Sequence, residues 1–194
     1  MSYILISTFV MERYMGAAVR PQPVKLFLAI TCSKDAEIDR LWKYLKKKWG
    51  ETDFSYGPVS FDNFTDYYRK EMGSNLQKLY VTFPGVIERD CLATIKTYTN
   101  SLESKFLRSD KRCINLDPGF LARDKLVLAS TKDFFHRIYL AKGIYAEVTL
   151  HFRKGKYRYF SWTYPDYREP EFQSFLAKAR ARLVKELREP PAEQ

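Results

Sequence analysis

Cysteine and histidine are scarce in this chain. Its three cysteines, Cys32, Cys91 and Cys113, are widely spaced, odd in number and without a CxxC pair. That indicates neither a disulfide framework nor a zinc knuckle, and their apolar neighbours predict reduced core thiols in a cytosolic protein. Only two histidines occur, His136 and His151, so an all-histidine metal site is excluded and no metal site is expected. The glycine-dependent signatures GxxxxGK[ST], GxGxxG and GxSxG are missing, as is HExxH. Their absence disfavours a standard P-loop nucleotidase, a Rossmann dehydrogenase and a typical serine hydrolase. No aromatic pattern of an RNA-recognition motif is found either. Long apolar runs are also lacking. "MSYILISTFVMERYMGAAVRPQP" has no basic lead and is interrupted by Glu12 and Arg13, which predicts neither a signal peptide nor a membrane span.

Acidic residues are in deficit: 23 against 33 Lys and Arg, a formal net charge of +10 over 194 residues. The excess favours partners carrying negative charge, whether nucleic acid, nucleotides or phosphorylated metabolites. Apolar residues make up 45% of the chain and aromatics 16%, enough to build a core. The expected organisation is an N-terminal appendage (1–22) closed by Pro21 and Pro23, a single domain (23–188) and a short tail (189–194).

The apolar run "VKLFLAITCS" predicts a buried central strand. In "KDAEIDRLWKYLKKKWG", Ile38, Leu41, Trp42, Leu45 and Trp49 recur at helical spacing, with Ser33 as cap, Asp35 and Glu37 in the first turn and Gly50 as stop. An extended stretch and the strand "LQKLYVTFPG" follow. A second helix is predicted over about 87–108, with Cys91, Ile95, Tyr98, Leu102 and Phe106 inward. "KRCINLDPGF" reads as a strand running into a Pro-Gly turn. The order is β-α-β-β-α-β, which is ferredoxin-like. Closely spaced strands after Gly119 extend it as an antiparallel meander, and a last helix covers about 170–188. The fold class is therefore α+β.

"TKDFFHRIYLAKGIYAEVTL" (131–150) holds the densest set of candidate site residues. A three-residue Ala141-Lys142-Gly143 loop pairs Arg137 with Glu147, Tyr139 with Tyr145, Ile138 with Ala146 and Leu140 with Ile144, with Gly143 at positive φ. A two-residue Lys154-Gly155 turn places Tyr157 opposite Phe152. One face is then apolar apart from His136, while the other carries Arg137, Tyr139, Tyr145, Glu147, Thr149, His151 and Arg158. This polar face is either a solvated sheet surface or a shallow anion site, in which Arg137 and Arg158 grip and Glu147 orients Arg137. His136 is either a hydrogen-bonded core histidine or a base. Lys132 and Arg137 should each meet a carboxylate, Asp117 being a candidate for Lys132.

Further candidates are Asp62, Asp66, Tyr67, Tyr68 and Glu71, as capping groups, metal ligands or a base. Asn115 and Asp117 lie at a predicted strand end, Lys125 follows it, and Tyr164, Asp166 and Tyr167 stand ahead of the last helix. The candidate catalytic groups are Asp66, His136 and Glu147. The candidate ligand-binding groups are Asn115, Asp117, Lys125, Lys132, Arg137, Tyr145 and Glu147. The basic faces of the first helix (Arg40, Lys43, Lys46, Lys47, Lys48) and the last (Lys178, Arg180, Arg182, Lys185, Arg188) offer an alternative, a nucleic-acid-binding module.

The segments "FTDYYRKEMG", "NLDPGFL", "STKDFFHRIYL", "GIYAEVTL" and "WTYPDY" occur in an order that resembles a bacterial family, domain of unknown function 4416. The resemblance covers about residues 23–176. It implies no established activity, substrate, cofactor or catalytic residue. The leading expectation from the residues is a cytoplasmic protein that binds, or acts on, a small phosphate-bearing ligand such as a nucleotide.

Overall fold

Strand β1 (Lys25–Cys32) is buried along nearly its whole length, as its apolar run predicts. It lies at the centre of an eight-stranded sheet in the computed structural model, which describes residues 16–64 and 69–188. The chain continues through α1 (Ile38–Trp49), β2 (Phe54–Ser60), a one-turn α2 (Arg69–Met72), β3 (Gln77–Thr82) and α3 (Leu92–Glu103). A small hairpin, β4 (Leu107–Arg108) and β5 (Lys111–Arg112), leads to β6 (Ile114–Leu121). The meander follows as β7 (Lys125–Ser130), β8 (Arg137–Ala141), β9 (Ile144–Arg153) and β10 (Lys156–Tyr159). Helix α4 (Pro170–Glu186) closes the fold.

All pairings in the large sheet are antiparallel, in the order β10-β9-β7-β6-β1-β3-β2, with β8 alongside one half of β9. The class is α+β. Strands β1 and β2 thus run parallel with β3 between them, and β6 flanks β1 on the other side.

Side-chain alternation along β1 assigns the two faces. Leu26, Leu28 and Ile30 pack under α1 and α3 with Leu41, Leu45, Ile95 and Leu102. Phe27 and Ala29 face the other way and meet α4 through Phe172, Phe175, Leu176, Ala179 and Leu183. Helix α4 therefore buries the stripe that its spacing predicts.

Several expectations give way to tertiary context. Helix α1 starts at Ile38, after Glu37, with no side-chain cap; Ser33 instead closes a turn through its carbonyl to Ala36 N–H. Helix α3 is shorter than predicted because 3₁₀ turns at Arg89–Cys91 and Ser104–Phe106 flank it, and Cys91 is exposed rather than inward. Pro118 and Gly119 make no turn, since β6 runs straight through them.

The Arg137–Glu147, Ile138–Ala146 and Tyr139–Tyr145 pairings hold, and Gly143 has φ 73°. The turn itself differs. Ala141 pairs with Ile144 around Lys142-Gly143, both at positive φ, and Leu140 is the bulged residue. The Lys154-Gly155 turn gives the predicted Tyr157–Phe152 pair. Burial, however, does not follow the two faces. Ile138 is 72% exposed, whereas Glu147 and Thr149 are buried. Strand β8 is an edge that overhangs solvent on its apolar side, so its alternation does not report the core.

Candidate functional site

Strand β6 pairs with β1 from Ile114 to Leu121 but with β7 only at Gly119, Phe120 and Leu121. Before Gly119 the two strands part, because β7 stays with β9. Pro118 has no N–H with which to extend the ladder. Gly119 sits at the root of the fork, where an added Cβ would lie 2.3 Å from the Val127 carbonyl oxygen. Charged side chains from α3 take the place of the missing strand. Glu103 Oε1 accepts the Leu116 N–H at 2.8 Å, and Lys96 Nζ donates to the Leu116 carbonyl at 2.7 Å. Part of the charge in the fork thus serves the backbone.

The fork encloses a cleft of about 430 Å³. Its α3 wall carries Lys96, Asn100 and Glu103, and its β6 wall Asn115 and Asp117. Asn115 and Asp117 share a face because strand side chains alternate. Lys96 donates to Asp117 Oδ1 at 3.1 Å and Asn115 to Asp117 Oδ2 at 2.6 Å. Arg112 bonds Asn115, Glu103 and Glu71 in turn, which ties β5, α3 and α2 together.

The opposite wall comes from β7 and the hairpin. Arg137 Nε donates to Glu147 Oε2 at 2.9 Å, and its Nη1 to Ser130 Oγ and the Lys132 carbonyl. Glu147 Oε1 accepts from Thr149, and its Oε2 lies 3.0 Å from His136 Nε2. His136 stands behind Glu147 rather than on the cleft wall, stacked on Trp162 at 5.0 Å, with Nδ1 buried and unbonded. Below, Lys78 pairs with Asp166 at 2.6 Å and lies 4.4 Å from the Phe61 ring centroid and 4.8 Å from that of Tyr167. Tyr80 also donates to Asp166.

The ionisations of Asp117, Glu103 and Tyr164 respond to this packing. Burial alone would raise the Asp117 carboxyl, but Lys96 and Lys78, with the bonds from Lys96 and Asn115, hold it below its usual range. Glu103 goes the other way: burial outweighs Lys96, the Leu116 N–H and Arg112, and its carboxyl is raised. Tyr164, at the mouth, is raised by burial and by Glu147, Asp117 and Asp166, against the pull of Arg137.

The structure brings Asn115, Asp117, Lys132, Arg137 and Glu147 together at this cleft, joined by Tyr164 and Tyr167. Lys125 does not take part. It pairs with His151 at the far end of β7, and its ammonium lies 3.3 Å from Asp124. Tyr145 packs edge-on against Tyr139, away from the cleft. Asp117 meets Lys96 and Asn115 rather than Lys132. Asp62 caps its own loop, accepting from the Asn75 and Leu76 N–H groups. Asp66, Tyr67 and Tyr68 lie outside the described residues. No group of three or more His, Cys, Asp or Glu side chains suited to a metal ion occurs among the described residues.

The sequence reading missed Lys78, Lys96, Glu103 and Arg112. Lys96 and Glu103 left a signal: both lie on the buried stripe of α3 with Leu92, Ile95, Thr99 and Leu102. A charge on an apolar stripe needs a partner. Lys78 shares its β3 face with Tyr80 and Thr82, a weaker cue.

The two basic helix faces do not join. Helices α1 and α4 pack on opposite sides of the sheet, so their lysines and arginines form no single stripe. No helix of the described residues is long and apolar enough to cross a membrane.

A mixed α+β domain with a forked antiparallel sheet is what fold and cleft define. The chain belongs to the family described as Domain of unknown function (DUF4416), whose model matches residues 22–183. No curated protein and no solved structure matches it.

Proposed function

We propose that this protein binds a small phosphate-bearing ligand in the cleft between β6 and β7. The observation that carries the reading is the state of Arg137. Its Nε and Nη1 are engaged by Glu147, Ser130 and the Lys132 carbonyl, which leave its Nη2 hydrogens for a guest. Glu147 holds the guanidinium in place, so one planar edge is presented to the cleft with little ordering left to do. Lys96 engages two oxygens and has a third proton to donate. Lys132, exposed at the rim, adds positive charge. The same reading keeps the protein in the cytosol, in line with its three free cysteines.

A thermal-shift titration with inorganic phosphate and small phosphomonoesters tests the reading. Binding to the native state raises Tm with ligand concentration. Arg137→Ala should remove that rise while far-UV circular dichroism stays native, and Lys132→Ala, at an exposed position, should weaken it. A wild-type Tm that no phosphate compound moves would reject the reading.

A further inference from the structure

We infer that the ligand of the cleft is a phosphorylated polyol or sugar rather than a nucleotide. The inference rests on the phosphate reading above and concerns the remainder of the molecule bound. Lys78, Lys96, Arg112, Lys132 and Arg137 line the cleft, but so do Glu71, Glu103, Asp117 and Glu147. Five cations against four carboxylates leave the lining nearly neutral. Beyond holding cations such as Arg137 in place, carboxylates offer phosphate alone only repulsion. A ligand that carries hydroxyl groups beside its phosphate can use both kinds of wall.

The carboxylates differ in what they can still accept. Glu103 and Glu147 are almost wholly buried, with side chains 9% and 4% exposed. Each of their oxygens already accepts a hydrogen bond from the protein. Asp117 is 28% exposed and Glu71 51%. Asp117 accepts one bond on each oxygen, and a carboxylate has about four acceptor sites, so two remain. The lowered ionisation of Asp117 keeps it an acceptor at neutral pH. Asn100 stands on the same wall. These groups lie on the α3–β6 side and Arg137 on the β7 side, so a short polyol can span the cleft with its phosphate at Arg137 and its hydroxyls at Asp117.

A nucleobase finds little among the described residues of the cleft. It needs apolar or aromatic faces on which to lie. The Phe61 and Tyr167 rings are 2% exposed and have the Lys78 ammonium over them. Of the cleft rings among the described residues, Tyr164 alone is exposed, and that one ring at the mouth cannot sandwich a purine.

The test is calorimetric titration of the full chain with glucose 6-phosphate, ribose 5-phosphate, glycerol 3-phosphate, AMP and inorganic phosphate. At least one of the three polyol phosphates should bind more tightly than both AMP and inorganic phosphate. For that compound, Asp117→Asn should weaken binding about tenfold or more, the expected loss for a hydrogen bond to a charged acceptor, while inorganic phosphate binding is not weakened. Glu71→Gln, at an exposed position that does not endanger the fold, should weaken the same compound selectively. If AMP or inorganic phosphate binds and no polyol phosphate binds better, the polyol assignment is overturned and the phosphate reading stands. Binding of the preferred polyol phosphate unchanged in both variants overturns the assignment too. Silence from all five compounds overturns both.

Discussion

Replacing Lys25 with methionine should destabilise the protein severely although it lies outside the cleft. Lys25 is fully buried on β1, with its ammonium 2.7 Å from Asp53, 3.2 Å from Glu186 and 3.1 Å from the Phe83 carbonyl. It joins β1, the start of β2, the end of β3 and the end of α4. Methionine fills similar volume, so cavity formation contributes little. The loss is electrostatic: two carboxylates are left facing each other, and the Phe83 carbonyl loses this donor. Removing one partner of a buried pair costs about 3–5 kcal/mol. Asp53 and Glu186 keep some solvent contact, 19% and 17% exposed, so about 3 kcal/mol is expected. For a domain of this size that lowers Tm by roughly 6–12 °C. Urea denaturation read by circular dichroism and tryptophan fluorescence measures the change. A triple variant, Lys25→Met with Asp53→Asn and Glu186→Gln, should recover at least half of the loss, because neutral amides can share the site without a counter-ion. If Lys25→Met loses under about 1 kcal/mol, or the triple variant is no more stable than the single one, the electrostatic account is wrong.

Gly119→Ala should cost about 1–3 kcal/mol by forcing β6 away from β7, since its Cβ would lie 2.3 Å from a backbone oxygen; an unchanged urea midpoint would show that the fork root is loose. The Asp117 carboxyl lies below its ordinary range in the folded protein, so its pairing stabilises above the unfolded value of about 3.9 and fades as pH falls through the lower folded value. Asp117→Asn should therefore flatten the fall in stability below about pH 4, and equal acid limbs in both proteins would reject that linkage. Cys91 is exposed while Cys32 and Cys113 are half-buried, so a maleimide should label Cys91 first under native conditions, and Cys91→Ser should remove the fast fraction.

Local pattern determined a good deal. The run around β1, the stripe of α4 and the pairing of Arg137 with Glu147 follow from spacing and from matching side chains across one hairpin. These are short-range facts: 3.6-residue and two-residue periods say which side chains share a face.

What alternation does not say is which face becomes covered. Ile138 and Leu140 look like core and are exposed, because β8 is an edge strand beyond the reach of α3 and α4. Pro118-Gly119 looks like a turn and is strand, because β1 binds that segment on one side and the open fork makes no demand for an N–H on the other. The cleft is likewise a tertiary product. Lys96 and Glu103 reach Leu116 across 20 and 13 residues of sequence, and Lys78 reaches Asp166 across 88. Each is a charge that the sequence places among apolar neighbours without naming its counter-charge. Only the packing of α3 over the parted strands, and of the segment before α4 beneath them, brings the partners within hydrogen-bonding distance, because opposite charges inside a protein are held by proximity and shared burial rather than by order along the chain.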